Sequence, residues 1–187
     1  MTSHTFDGSI PYLRRTWPHA LLLTLAIPFA APAQDVQLGL SLGEGGAFHS
    51  GNFGSAQVIA SRALGSSLAL ENGWEFQPRG TLSLGMLRGQ GETATIAALG
   101  PDVVLQKAGA DRGWFLQAGF HPTLISETEF GTRRLGSTLQ FTTYAGAGFR
   151  LGPEHSLLLH VQHMSNADLD RDNDGVNQFV LSYRYHL

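Results

Sequence analysis

The chain has 187 residues, no cysteine, 23 glycines and a formal net charge of −3, with 14% charged residues against roughly 25% in an average soluble domain. The balance offers no basic surface for a nucleic-acid partner, and no disulfide can hold the fold. The length fits one domain.

Residues 1–33 read as an export signal. Arg14 and Arg15 form the positive flank, "HALLLTLAIPFA" (His19 to Ala30) the apolar region, and Ala31-Pro32-Ala33 a small-x-small cleavage pattern. The apolar region falls short of the roughly 20 residues a membrane-spanning helix needs. The paired arginines hint at a twin-arginine route, although their flanks fit it poorly. Cleavage would leave residues 34–187 as the mature domain.

Beyond the signal, runs of period-two alternation are separated by Gly, Asp, Asn and Pro, the pattern of antiparallel strands. Strands are predicted near 35–43, 54–63, 68–76, 80–88, 93–107, 113–126, 137–151, 155–165 and 177–187. A closed single-chain outer-membrane barrel has an even number of strands. The nine runs therefore suggest that 68–88 is one long or interrupted strand, with a break at Pro78 and Gly80.

The clearest strands carry one apolar and one polar or small face. Between 137 and 151, Leu139, Phe141, Thr143, Ala145, Ala147, Phe149 and Leu151 oppose Thr138, Gln140, Thr142, Tyr144, Gly146, Gly148 and Arg150. In the last run, "FVLSYRYHL", Phe179, Leu181, Tyr183, Tyr185 and Leu187 oppose Gln178, Val180, Ser182, Arg184 and His186. A soluble lipocalin-like barrel would turn the apolar face inward. Three features predict the reverse, an eight-stranded antiparallel transmembrane barrel. The polar faces are rich in Gly, Thr and Gln rather than Lys and Glu. Arg150 and Arg184 lie on them, where lipid exposure would cost about 2–4 kcal/mol at the bilayer midplane. The chain also ends on an aromatic-rich strand.

Parity then locates a site. In "HSLLLHVQHMS" (155–165) the apolar positions Leu157, Leu159 and Val161 continue into His163 and Ser165. A hairpin through 166–176 brings Asn177, on the same face of the next strand, beside them. Three polar side chains on a lipid-facing wall are costly unless used. A serine nucleophile needs a base within reach and a third group to fix the imidazole.

The stretch "HMSNA", followed by "NDG" and the final strand, resembles the outer-membrane lipid A 3-O-deacylase (PagL-type) family. "FLQAGF" and "LGSTLQFTTYAGAGFRLG" resemble that family's fifth and sixth strands, and the likeness covers about 113–187. The resemblance implies hydrolysis of the ester at position 3 of lipid A in the outer membrane, with no cofactor. It implies Ser165 as nucleophile, His163 as base and Asn166 as oxyanion donor. The family's acidic third member falls at Asn177, so the imidazole is oriented either by that amide or by a nearby carboxylate such as Asp174. The acyl chain is expected along Leu159, Phe179 and Leu181. Lipopolysaccharide is the implied substrate, and a homodimer is compatible with these features. The competing expectation is an inactive barrel with a structural or adhesive role.

"DRDNDG" (170–175) matches the first half of a calcium loop through Asp170, Asp172 and Asp174, but the closing glutamate position falls on Leu181. A polar hairpin turn is the simpler reading, with weak divalent binding as the alternative. His160 and His186 are expected as satisfied interior groups, and His121 has no partner visible in the sequence. The glycines of "YAGAGF" are read as small-residue packing, since no helix follows as a phosphate loop requires.

Overall fold

The computed structural model describes residues 35–45 and 52–187; the predicted export signal lies outside them. Eight long strands follow in chain order: β1 (Val36–Glu44), β2 (Phe53–Ala63), β3 (Trp74–Gly89), β4 (Glu92–Lys107), β5 (Gly113–Ile125), β6 (Leu139–Arg150), β7 (His155–Ser165) and β8 (Val176–His186). Each pairs antiparallel with its neighbours, and β1 pairs with β8, from Gln37↔His186 to Glu44↔Phe179, which closes the ring. Closure leaves no exposed sheet edge, as a membrane-spanning sheet requires. The expected eight-stranded barrel is therefore present.

The uncertain segment resolves into one strand of 16 residues, β3, which runs through Pro78 and Gly80 without a break. The predicted run at 68–76 shrinks to the pair Leu68–Ala69, which bonds to Phe76 and Glu75. Asn72 and Gly73, both at positive φ (67° and 71°), turn the chain there. A second break falls within the barrel wall. Between Ala98↔Thr123 and Asp102↔Gly119 the β4–β5 ladder lapses, where Pro101 and Pro122 bring no N–H to either strand.

The apolar face points outward. Leu38, Leu40 and Leu42 of β1, Leu82 and Leu84 of β3, Leu116 and Leu124 of β5, and Phe179 and Leu181 of β8 are all exposed. The interior holds Gln37, Ser41, Thr81, Asp102, Gln117, Thr123, Gln178, Ser182 and Arg184, all buried. A soluble lipocalin-like barrel has the opposite arrangement. Arg184 Nη1 donates to Gln117 Oε1 (2.8 Å), and Arg150 Nη2 to Gln106 Oε1 (2.8 Å). Both guanidinium groups thus hydrogen-bond inside the barrel, although Arg184 Nε is buried without a partner among the described residues.

The interior is layered along its axis. Polar side chains fill the middle, and Val104, Phe115 and Leu158 pack below them. At the other end Phe53, Leu87, Ile96, Ile125, Phe130, Leu135, Met164 and Val176 form an apolar plug. Phe130 and Leu135 come from the segment between β5 and β6. That segment folds into a small hairpin, Glu129–Phe130 against Arg133–Arg134, turned by Gly131 at φ 58°. Its two apolar side chains are fully buried in the barrel mouth. The glycines of β6 serve packing as expected: a methyl at Gly148 would collide with the Phe115 ring, and one at Gly146 with Leu159 O.

Candidate active site

β7 and β8 set the site by their register. His163 lies opposite Asn177, and Met164 opposite Val176. Met164 and Val176 are buried in the apolar plug. A two-residue side-chain period therefore sends His163, Ser165 and Asn177 outward at the same end. His163 is exposed, while Ser165 and Asn177 are half-buried. The structure thus gathers all three on the outer wall, at the rim.

His163 Nδ1 lies 2.7 Å from Asn177 Oδ1. A carbonyl oxygen only accepts, so Nδ1 carries the proton and Nε2 keeps its lone pair. That is the tautomer a general base needs. Among the described residues no hydrogen bond joins Ser165 Oγ to the imidazole; the two side chains flank Gly175 instead. A methyl at Gly175 would stand 3.2 Å from His163 Cε1 and 3.8 Å from Ser165 Cβ. Gly175 adopts φ 58°, a conformation that glycine takes without strain.

Asn166 follows the serine but is fully buried. Its Nδ2 donates to Leu135 O (2.9 Å) and Asp172 O (2.7 Å), and its backbone N–H to Asn173 Oδ1 (3.0 Å). All its N–H groups are engaged, two within its own loop and one on the segment between β5 and β6. The next two residues, Ala167 and Asp168, both sit at positive φ (52° and 61°).

Asp174, the alternative partner for the imidazole, is held elsewhere. Its Oδ2 accepts from Arg134 N (2.7 Å), and its own N–H donates to Arg134 O (3.0 Å). Asn177 is the group on His163. Asp170, Asp172 and Asp174 also do not converge on one point. Asp170 Oδ1 accepts from Asp172 N (3.2 Å), and Asp172 Oδ2 lies 3.8 Å from Arg134. Among the described residues no cluster of three or more His, Asp or Glu side chains forms a metal cage.

Two expectations for the interior need correction. His121, without a visible partner in the sequence, donates from Nε2 to Asp102 Oδ1 at 2.8 Å, and both are buried. Asp102 also accepts from Thr81 and Gln117. Their pairing crosses the β4–β5 ladder where the two prolines interrupt it, so no local pattern announces it. His186 is satisfied by Ser156 (2.9 Å). His160, expected to be satisfied as well, is not fully so: it packs against the Tyr144 ring (4.7 Å between centroids), but its Nδ1 has no partner among the described residues.

Beside His163 the outer wall opens into a groove of about 290 Å³, lined by Thr143, Ala145, Val161 and Asn177. Small side chains of β6 form one bank and β7 the other. The interior cavity, about 50 Å³ among Thr81, His121, Tyr144 and Arg184, contains none of the three site residues.

Fold and site define a class: a closed barrel with an apolar outer wall, bearing a histidine, a serine and an orienting amide at its rim. The family model for lipid A 3-O-deacylase (PagL) matches residues 65–186, and the chain belongs to that family. The lipid A deacylase PagL of Bordetella bronchiseptica is 36% identical over 74 residues, covering 40% of this chain and 42% of that protein. PagL of Pseudomonas aeruginosa is 34% identical over 84 residues, covering 45% of this chain and 49% of that protein. The matched stretches thus span just under half of each curated relative. The crystal structure of the outer membrane enzyme PagL superposes over 79% of this chain and 97% of its own, with a TM-score of 0.69 at 23% identity. That likeness establishes the shared fold.

Proposed function

We propose that this protein is an outer-membrane esterase that removes the 3-O-linked acyl chain from lipid A. Residues 1–33 would direct its export, and residues 34–187 form the enzyme. The observation that carries this reading is the 2.7 Å bond from His163 to Asn177, on the same outward face as Ser165. Ser165 Oγ, which no hydrogen bond joins to the imidazole among the described residues, must first come within reach of His163 Nε2. Nε2 then takes its proton as Oγ attacks the ester carbonyl, and an acyl-enzyme forms. The protonated imidazole then gives its proton to the leaving sugar hydroxyl. Water, deprotonated by the same imidazole, releases the 3-hydroxy fatty acid. General-base assistance of this kind supplies about 10²–10⁴ in rate.

The acyl chain lies in the open groove past Ala145 and Val161, on the β6 side of His163, rather than across Phe179 and Leu181. For Asn166 to hold the oxyanion, its Nδ2 must release one of the two carbonyls it binds when substrate enters. All site groups come from one chain, so a homodimer adds no group to the reaction.

The test is mass spectrometry of lipid A from Gram-negative cells expressing the wild type or Ser165→Ala. Loss of one 3-hydroxyacyl group with the wild type only is expected. Unchanged lipid A in both would support the second reading, an inactive barrel, which the neutral residue at 177 favours.

A further inference from the structure

The site rests on a neighbour that neither the reaction nor the calcium-like loop accounts for. The hairpin between β5 and β6 reaches across the barrel mouth and is stitched to the loop between β7 and β8. Leu135 O receives Asn166 Nδ2, the Arg134 backbone N–H donates to Asp174 Oδ2, and the Asp174 N–H donates to Arg134 O. The last stitch is a side chain. Arg133 Nη2 donates to Asp174 O (2.5 Å) and to Gly175 O (3.0 Å).

These two carbonyls close the loop just before β8 begins. Gly175 lies against both His163 and Ser165, and Asn177 follows two positions later. Hydrogen bonds from a guanidinium are charge-assisted and roughly twice as strong as neutral ones. Two of them on adjacent carbonyls fix the plane of the Asp174–Gly175 segment and hold Gly175 at φ 58°. Arg133 Nε, meanwhile, is buried without a partner among the described residues. Such a group costs free energy, which the clamp on the two carbonyls offsets.

We propose that Arg133 is a positioning residue of this site. Its guanidinium clamps the Asp174–Gly175 carbonyls and thereby sets the spacing of His163, Ser165 and Asn177. The proposal rests on the esterase reading above. It predicts a loss in turnover with little change in substrate binding, because Ala145 and Val161, along which the acyl chain runs, lie further along β6 and β7 from the clamped carbonyls. A misplacement of about 1 Å at such a site can cost 10²-fold in rate.

The experiment measures kcat and KM of purified, refolded barrel on lipid A in mixed micelles. Wild type, Ser165→Ala, Arg133→Ala, Arg133→Lys and Arg134→Ala are compared, and folding is read from the faster gel migration of unheated barrel. Arg134 is the control. Its side chain is 63% exposed and reaches only Asp172, at 3.8 Å, so Arg134→Ala stays within about twofold of wild type.

Arg133→Ala is expected to keep its folded band, lose about ten- to hundredfold in kcat, and hold KM within about twofold. Arg133→Lys, able to reach one carbonyl but not both, falls between. Added guanidinium ion raises the Arg133→Ala rate saturably and leaves wild type unchanged. Wild-type kcat in Arg133→Ala overturns the proposal, as does a loss that neither lysine nor guanidinium recovers. If Arg133→Ala gives no folded band, Arg133→Lys decides: lower kcat at constant KM supports the clamp, and wild-type kcat overturns it. Should Ser165→Ala remain active, the esterase reading itself fails, whatever Arg133 does.

Discussion

Two histidine pairs on opposite faces of the same barrel wall show what a catalytic arrangement requires. Inside, His121 meets Asp102 at 2.8 Å, both buried, with Thr81 and Gln117 on the same carboxylate. Outside, His163 meets Asn177 at 2.7 Å, with the imidazole exposed. The inner pair has the carboxylate that a triad would call for, yet its groups are spent on one another. The outer pair has only a neutral amide, but a serine shares its face and a groove opens beside it. On the esterase reading proposed above, access and a nucleophile on the same face count for more than an acid beside a histidine. The neutral residue also suits its place, since a carboxylate facing hydrocarbon is far costlier to desolvate than an amide.

The comparison breaks most sharply at Ser165. Ser165→Ala should lower deacylation by more than about 10³-fold while leaving unheated gel migration unchanged. Retained activity would move the chemistry away from the outer wall. Asn177→Glu sharpens the contrast by giving the outer pair the charge of the inner one. An imidazolium is better stabilised by a full charge, and the reverse change in a protease triad cost about 10⁴ in turnover. A gain of about tenfold in kcat is expected, and no gain would mean that Asn177 is not the orienting group. Gly175→Ala should cost severalfold, because its methyl would press on His163 Cε1 at 3.2 Å and strain a φ of 58°. The readout is kcat against KM, with kcat alone moving.

The outer site was legible in the sequence and the inner pair was not, for a physical reason. A strand's side-chain period is two, so parity alone assigns His163, Ser165 and Asn177 to one face, and a hairpin joins them. The faces of β6 and β8 followed in the same way, and their ends shifted by only a residue or two. The start of β3 was misplaced because "SLALENGW" alternates like a strand, while Asn72 and Gly73 take the left-handed conformation that ends it. His121 and Asp102 sit on separate strands with an interrupted ladder between them, and only the closed barrel brings them together. Asp174 was a plausible partner for His163 by position in the chain. Its side chain turns instead to Arg134, a contact across 40 residues that no local pattern encodes. The same holds for the hairpin that buries Phe130 and Leu135 in the barrel mouth.

The smallest effect on turnover belongs to the inner pair, and it is the more informative for being small. Asp102→Ala leaves His121, Thr81 and Gln117 without their shared acceptor in a closed interior. Removing one partner of a buried pair destabilises by about 3–5 kcal/mol, so a clear drop in unfolding temperature is expected. The double variant Asp102→Ala/His121→Leu should recover part of that loss, because it no longer strands a buried imidazole. Turnover of whatever remains folded should stay within about threefold of wild type in both. Met164 and Val176, whose neighbours in sequence make the site, pack in the apolar plug and not on Asp102. The polar middle of the barrel can thus weaken without moving the rim. A large loss of kcat in folded Asp102→Ala would show that the interior network governs the outer wall, and the two histidine pairs would then be one system.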